Sequence, residues 1–288
     1  MGFCVAAIVN EPAAVLNRFV GWYLAQGAEA ITLYFDDPTH PDLTRLAELP
    51  RVICVACTAE FWQGLGVSAE ARFTRRQNTV LTHAYHQQAE GWLLNVDADE
   101  LMYAKGTTLA AWLENREDTQ TIRIATAEHV HGGTGRLFRL PIPRKTVNAI
   151  YGAEADLFRR RHGLIGHADG KSFHRAGRAD LRLRQHWSED AAGQEVEGAR
   201  LGAADGVYLL HYMAPDFTAW RAKLEWRLGS HGFPEPIKDR LRAIQAADGD
   251  VEAGYLVLFQ LLHCIEPEVA RDLAAVGGLL EVPSGFAR

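Results

Sequence analysis

The stretch GWLLNVDADELMY, residues 91–103, sets the apolar run Trp92-Leu93-Leu94-Asn95-Val96 directly against three acids, Asp97, Asp99 and Glu100. So short an apolar run, opened by a glycine, reads as a strand buried on both faces. The acids have two readings. In one they start a helix, with Asp97 or Asp99 as N-cap and Glu100 favoured by the first turn's dipole. In the other, alternate residues of an extended segment point to the same side. Asp97 and Asp99 then converge on one hard divalent cation, in the oxygen coordination that suits Mg2+ or Mn2+. A cation held by two carboxylates keeps positions open for a diphosphate. One acid is enough to cap a helix, and two so close repel unless a cation or donor lies between them.

Outward from this stretch, strands and helices alternate. FCVAAIV (3–9) is another continuous apolar run, closed by Asn10-Glu11-Pro12. Apolar residues then recur at helical spacing from Pro12 to Gln26, and Gly27 is a stop signal. AITLYF (30–35) is a strand ending in Asp36-Asp37, a short helix covers 43–48, a strand covers 51–57, and a helix near 70–89 leads back to the strand at 91–96. Such alternation implies a mostly parallel sheet with helices on both faces. Ligands of such sheets bind outside the carboxyl ends of the strands. Asn10-Glu11, Asp36-Asp37 and Asp97-Asp99 all fall at that edge. Farther on, a helix at 107–116 and a strand at 120–126 precede a stretch, 127–200, without sustained periodicity. A strand at 206–211 follows, then helices at 216–229, 236–247, 251–263 and 267–276. The expected organisation is a catalytic domain over 1–230 and a helical extension over 231–288.

With 288 residues, 48% of them hydrophobic, the chain can bury a sizeable core. A formal net charge of -6 gives no basic excess for nucleic acid or a polybasic membrane anchor. The opening MGFCVAAIVNEP lacks a basic leader, and no apolar window is long enough to span a bilayer. The expectation is a cytoplasmic protein with at most peripheral membrane contact. Cys54 and Cys57 have CxxC spacing, but they sit in an apolar strand where residues three apart face opposite ways, so they read as buried thiols.

The first hundred residues resemble family-2-like glycosyltransferases of the GT-A fold. The matching segments are CVAAIVNEPAAVLNRFVGWYLAQGAEAITLYFDD, then Arg76-Gln77, then WLLNVDADEL. GLIGHADGKSFHRAG (163–177) and YLLHYMAPDFTAWRAKLEWR (208–227) are similar to segments of a branch that includes family-92-like transferases. The resemblance implies a GT-A-type, Rossmann-like sheet with a loop-rich acceptor half. Asp97 and Asp99 would be its metal-binding D-x-D, with His211 as third ligand. Asn10, Glu11, Asp36, Asp37 and Gln77 would line the nucleotide, and Lys171 and Arg175 would meet the diphosphate. Glu128 is the first choice for a base taking the acceptor hydroxyl's proton, ahead of Asp156 and Asp169. The implied donor is a UDP- or GDP-sugar, the cation Mn2+ or Mg2+, and the acceptor a glycan or other hydroxyl. Two segments depart from the family, EHVHGGTG (128–135) and the HYMAPD that follows Leu210.

Two rivals have sequence consequences. A nucleotidyltransferase wants a glycine-rich phosphate cradle after its first strand, and VNEPAAVLNR (9–18) has no glycine. A non-catalytic nucleotide- or carbohydrate-binding protein of the same fold keeps every feature above.

Overall fold

The structure is a computed structural model that describes residues 2–114, 116, 119–133, 136–229 and 232–283. Residues up to 125 carry β1 (Phe3–Val9), α1 (Ala13–Ala25), β2 (Ala30–Phe35), α2 (Leu43–Ala47), β3 (Val52–Ala56), α3 (Ala59–Gly64), α4 (Phe73–Gln87), β4 (Trp92–Asn95), β5 (Glu100–Ala104), α5 (Leu109–Leu113) and β6 (Thr121–Ile124). Then come β7 (Thr126–Val130), β8 (Leu137–Arg139), α6 (Arg144–Tyr151) and α7 (Ala155–Arg159). They are followed by β9 (Lys171–Arg175), β10 (Arg182–Leu183), β11 (Ser188–Glu189), β12 (Ala199–Leu201) and β13 (Val207–His211). The chain closes with α8 (Phe217–Ala222), α9 (Leu224–Gly229), α10 (Glu235–Ala246), α11 (Val251–His263), α12 (Pro267–Ala275) and β14 (Leu279–Glu281).

Two compact units result. The first is built from Met1–Ala125 and Asp169–Leu209, the second from Thr126–Ala168 and Leu210–Phe286. The division does not follow the expected boundary at 230/231, whose flanking residues Ser230 and His231 lie outside the described residues. Helices α10 to α12 belong with residues 126–168 because they share one core. Ile142, Val147, Phe158, Trp220, Ile237 and Leu258 are among its buried members.

In the first unit a seven-stranded sheet runs in the order β12-β6-β9-β4-β1-β2-β3. β4, β1, β2 and β3 pair in parallel, β12 pairs in parallel with β6, and β9 alone runs against its neighbours. This is the mostly parallel α/β sheet that the strand–helix alternation implies. The alternating residues Ala6, Ile8, Tyr34 and Leu93 pack on one face with Trp62 of α3 and Val80, Leu81 and Tyr85 of α4. On the other face Phe3 meets Phe173 of β9, which in turn meets Trp112 of α5. With helices on both faces, β1 is apolar at successive positions instead of alternating. Gly27 ends α1 as expected. Its φ of +87° suits glycine, and a Cβ there would lie 2.7 Å from that of Ala110.

Cys57 is buried and Cys54 partly so, all four cysteines are free, and burial raises both thiols, that of Cys57 to about 12. No helix among the described residues is long and apolar enough to cross a membrane. In the second unit β14-β8-β7 form antiparallel pairs. The stretch 127–200, expected to be irregular, contains two helices besides its short strands. The signal for α6 is present in Val147, Ile150 and Tyr151, spaced by three and one, but spans only two turns.

Candidate functional site

The acids after β4 do not start a helix. The chain turns at Ala98–Asp99 and enters β5 at Glu100. Helix α1 fixes that entry from below: Tyr23 donates to the Glu100 carbonyl at 3.0 Å and accepts from the Met102 amide at 3.0 Å, and Trp22 donates to the Met102 carbonyl at 2.8 Å. Glu100 is fully buried, and its Oε2 accepts the Asp97 amide at 2.8 Å, closing the turn on itself.

Each oxygen of Asp97 is held by a different element. Gln77 of α4 donates to Oδ1 at 2.6 Å, and Lys171, the first residue of β9, donates to Oδ2 at 2.8 Å. The same ammonium lies 3.4 Å from Glu100. Lys171 is 1% exposed, whereas the Asp97 side chain is 37% exposed. Burial works to lower the lysine's pKa, but Asp97 and Glu100 outweigh it and raise the pKa, so the cation is permanent. Lys171, expected to meet the diphosphate, is held here by the acids of the turn. Asp99 stands partly exposed at the tip of the turn. Asp97, Asp99, Glu100 and Lys171 together carry three negative charges and one positive.

A second layer orders the first. Gln185 donates to Gln77 Oε1 at 2.6 Å, which leaves the Gln77 amide nitrogen aimed at Asp97. Asn95, at the end of β4, donates to the carbonyls of Arg184 and Gln185 at 3.2 Å each, and its Oδ1 lies 2.9 Å from His174 Nε2. Burial and the nearby Arg123 lower the pKa of His174 to about 3. A neutral imidazole donating to Asn95 therefore holds the segment that carries Gln185.

The other carboxyl-edge acids lie where the parallel order requires. Asp36 follows β2, its amide bonded to the Val9 carbonyl at 3.0 Å, and Arg76 grips its carboxylate in two contacts of 3.0 and 2.5 Å. Asp37 accepts from the amide and hydroxyl of Thr39, which lower its pKa. Glu11 Oε2 accepts the Asn10 amide at 2.9 Å, and the Glu11 carbonyl lies 3.1 Å from His40 Nε2. Arg175 is the exception. Because β9 is antiparallel, Lys171 falls at the carboxyl edge, while Arg175 pairs with Trp92 at the start of β4. It sits four residues away along the strand, about 13 Å at ~3.3 Å per residue. The expectation that Arg175 meets the diphosphate is corrected by that direction of travel.

Glu128 and His211 belong to the second unit. Glu128 is not at a strand end but in the middle of β7, with no exposed surface. Its carboxylate accepts the amides of Ile165 (2.9 and 3.0 Å) and Gly166 (2.5 Å) and lies 3.4 Å from Arg139. Filled on every side, it braces the 165–166 loop, and the reading of it as a proton acceptor for an external hydroxyl is withdrawn. Asp156 is exposed and paired with Arg159 at 2.8 Å, and Asp169 is exposed in the loop before β9. His211 closes β13, 8% exposed, with its ring 5.0 Å from that of His167. Their ligating nitrogens lie within 4.8 Å of each other. His129 stacks on Tyr212, and His131 reaches the Ala214 carbonyl at 2.8 Å, so this pair is spent on packing. Thr134 and Gly135 of the departing EHVHGGTG segment lie outside the described residues.

No protein-family model matches the chain, and no curated protein matches it by sequence. Solved structures do. The crystal structure of S. aureus TarS 1–349 is 13% identical, with 90% of this chain and 72% of that one covered and a TM-score of 0.38. The same fragment in complex with UDP is 12% identical, with 95% and 72% covered and a TM-score of 0.36. Against the longer TarS structure the identity is 16% and the TM-score 0.38, with 91% of this chain covered and only 43% of that one.

Proposed function

We propose that the chain is a glycosyltransferase that takes a nucleotide-diphosphate sugar, UDP- or GDP-linked, and passes the sugar to a hydroxyl of a glycan or similar acceptor. The observation that carries this reading is the carboxyl edge of the first unit. There three parallel strands deliver Asn10-Glu11, Asp36-Asp37 and Asp97-Asp99 to one side, and a buried lysine and glutamine fix the orientation of Asp97.

The donor set fits Mn2+ or Mg2+: hard carboxylate oxygens at i and i+2, two negative charges in excess, and a second lone pair on each Asp97 oxygen beyond the one its donor occupies. Asp97 and Asp99 are the residues that would hold the ion. Bound there, a divalent cation neutralises charge on a departing diphosphate. The chain's own part is positional. Lys171 and Gln77 prevent Asp97 from rotating, Glu100 fixes the turn's backbone, and Arg76 holds Asp36 at the next strand end. In the second unit His167 and His211 offer two imidazoles close enough to share one cation.

Thermal unfolding against UDP, GDP, ADP and CMP, with and without Mn2+, tests the reading. A nucleotide at about 100 times its Kd stabilises the native state by about 2.7 kcal/mol. The expected result is a rise with one nucleotide diphosphate that needs the metal and is absent in Asp99→Ala, whose own midpoint without ligand stays close to the parent's. No rise with any nucleotide would return Asp97 and Asp99 to a purely structural turn.

A further inference from the structure

Helix α4 serves two sides of the first unit. Gln77, Val80, Leu81 and Ala84 face inward. On the outward side an open groove of about 460 Å3 is walled by Thr74, Arg75 and Asn78 and, opposite, by Arg182, Leu183 and Arg184. Its floor is closed by Thr82, whose hydroxyl accepts the Leu183 amide at 2.9 Å and donates to the Asn78 carbonyl at 2.7 Å. The groove is thus part of the packed structure: the hydrogen bond that forms its floor also ties its two walls together.

Its charge is out of keeping with the rest of the chain. Three arginines face it and no carboxylate lines it, in a protein of formal net charge -6. Arg184 is paired with Glu189 at 2.6 Å, and Arg182 shares the field of that same acid. Arg75 is exposed and forms no salt bridge among the described residues. One glutamate therefore serves the two arginines of one wall, and the arginine of the other wall has no counterion among the described residues. Like charges held across a groove repel, and an anion between them converts that repulsion into attraction. A guanidinium fork matches phosphate oxygens two at a time, and threonine hydroxyls such as Thr74 add neutral donors. From Arg75 to Thr82 the helix advances about 10 Å at ~1.5 Å per residue, room for more than one phosphate along the wall.

We infer that this groove binds a ligand carrying two or more linked phosphates, laid along α4 between Arg75 and the Arg182–Arg184 wall. The inference does not rest on the transferase reading: at about 100° per residue, Arg75 lies on the opposite side of α4 from Gln77, which serves the turn.

The test is calorimetric titration of the whole chain with inorganic tripolyphosphate, in EDTA and in the Asp99→Ala background so that a metal–diphosphate site contributes nothing. Orthophosphate is titrated alongside. Expected are saturable tripolyphosphate binding that weakens as NaCl is raised, affinity for orthophosphate at least about tenfold lower, and a further loss of about tenfold or more in Arg75→Gln/Arg182→Gln. Both arginines are exposed, so the variant's unfolding midpoint should match the parent's, and charge reversal in Arg182→Glu should abolish binding. Equal affinity in parent and double variant, or equal affinity for orthophosphate and tripolyphosphate, overturns the inference.

Discussion

Each unit buries a carboxylate against a cation, and the two arrangements differ in one respect. In the second unit, Glu128 and Arg139 are 0% and 3% exposed, and backbone amides fill what the ion pair leaves. In the first, Lys171 and Glu100 are equally buried, but the lysine's nearer partner, Asp97, keeps 37% of its side chain in contact with water. Burial of charge therefore does not by itself mark a functional site. In the closed pair, both carboxylate oxygens already accept backbone amides. The open triad uses a sealed lysine and glutamate to hold a third group that still faces outward.

The largest effects expected are on stability, and they test whether both arrangements are built as described. Glu128→Ala leaves Arg139 buried without its counter-charge and two amides buried without their acceptor. Lys171→Met leaves Glu100 buried without its cation. Each should cost about 3–5 kcal/mol in chemical denaturation. The comparison sharpens with a second substitution. Glu100→Gln placed on Lys171→Met removes the stranded charge and should recover part of the loss. Asp97→Asn, at a position already reached by water, should cost only about 1.5 kcal/mol. If Lys171→Met unfolds at the parent's denaturant concentration, the triad is not what holds the turn.

The two regions also differed in how legible they were. The runs FCVAAIV, AITLYF and WLLNV are apolar at nearly every position, so their burial on both faces, and with it the placing of three acidic turns at one edge, follows from sequence. The direction of β9 does not. KSFHR reads the same in either sense, and only the antiparallel pairing sends Lys171 to the carboxyl edge and Arg175 away from it. Glu128 was misplaced for a similar reason: TIRIATAEHV has no turn residue inside it, so the break between β6 and β7 at Ala125 is invisible and Glu128 seems to end a strand. Gln185 and His174 carry no local signal, because their roles depend on contacts with Gln77 and Asn95 some 80 to 110 residues away in the chain.

Acid should weaken both units through a histidine each. His174 in the first is lowered to about 3 by burial and Arg123; His263 in the second is lowered well below its ordinary value by burial and then by Arg139 and Arg227. Both are neutral when folded, whereas in the unfolded chain they take up a proton near pH 6.5. Their stabilising contribution is complete above that pH and is lost as pH falls, by about 1.4 kcal/mol per pH unit for each histidine, down to about pH 3 for His174. Denaturant titrations from pH 7 to 5 should show this slope. His174→Gln, which keeps a donor for Asn95, and His263→Phe, at a ring whose nitrogens have no partner among the described residues, should each flatten it by about that amount. An unchanged slope in both variants would mean that these imidazoles are already protonated in the fold.

The smallest effect expected is also the most specific. Gln185 touches neither Asp97 nor anything proposed to bind there; it holds Gln77, which is 2% exposed and whose own amide holds Asp97. Gln185→Ala should cost about 1 kcal/mol of stability, the net worth of one neutral hydrogen bond. It should also weaken metal-dependent nucleotide binding, because a Gln77 amide without its outer partner can turn and give up the bond to Asp97. Gln77→Ala loses that bond outright and should weaken binding further. The pair thus separates positioning from mere packing. If Gln185→Ala lowers stability but leaves the nucleotide-and-metal shift at the parent's size, Gln185 contributes stability only, and Gln77 holds Asp97 without it. If both variants weaken the shift in that order, the ordering of Asp97 extends outward from the turn through Gln77 to a loop with no local signal of its own.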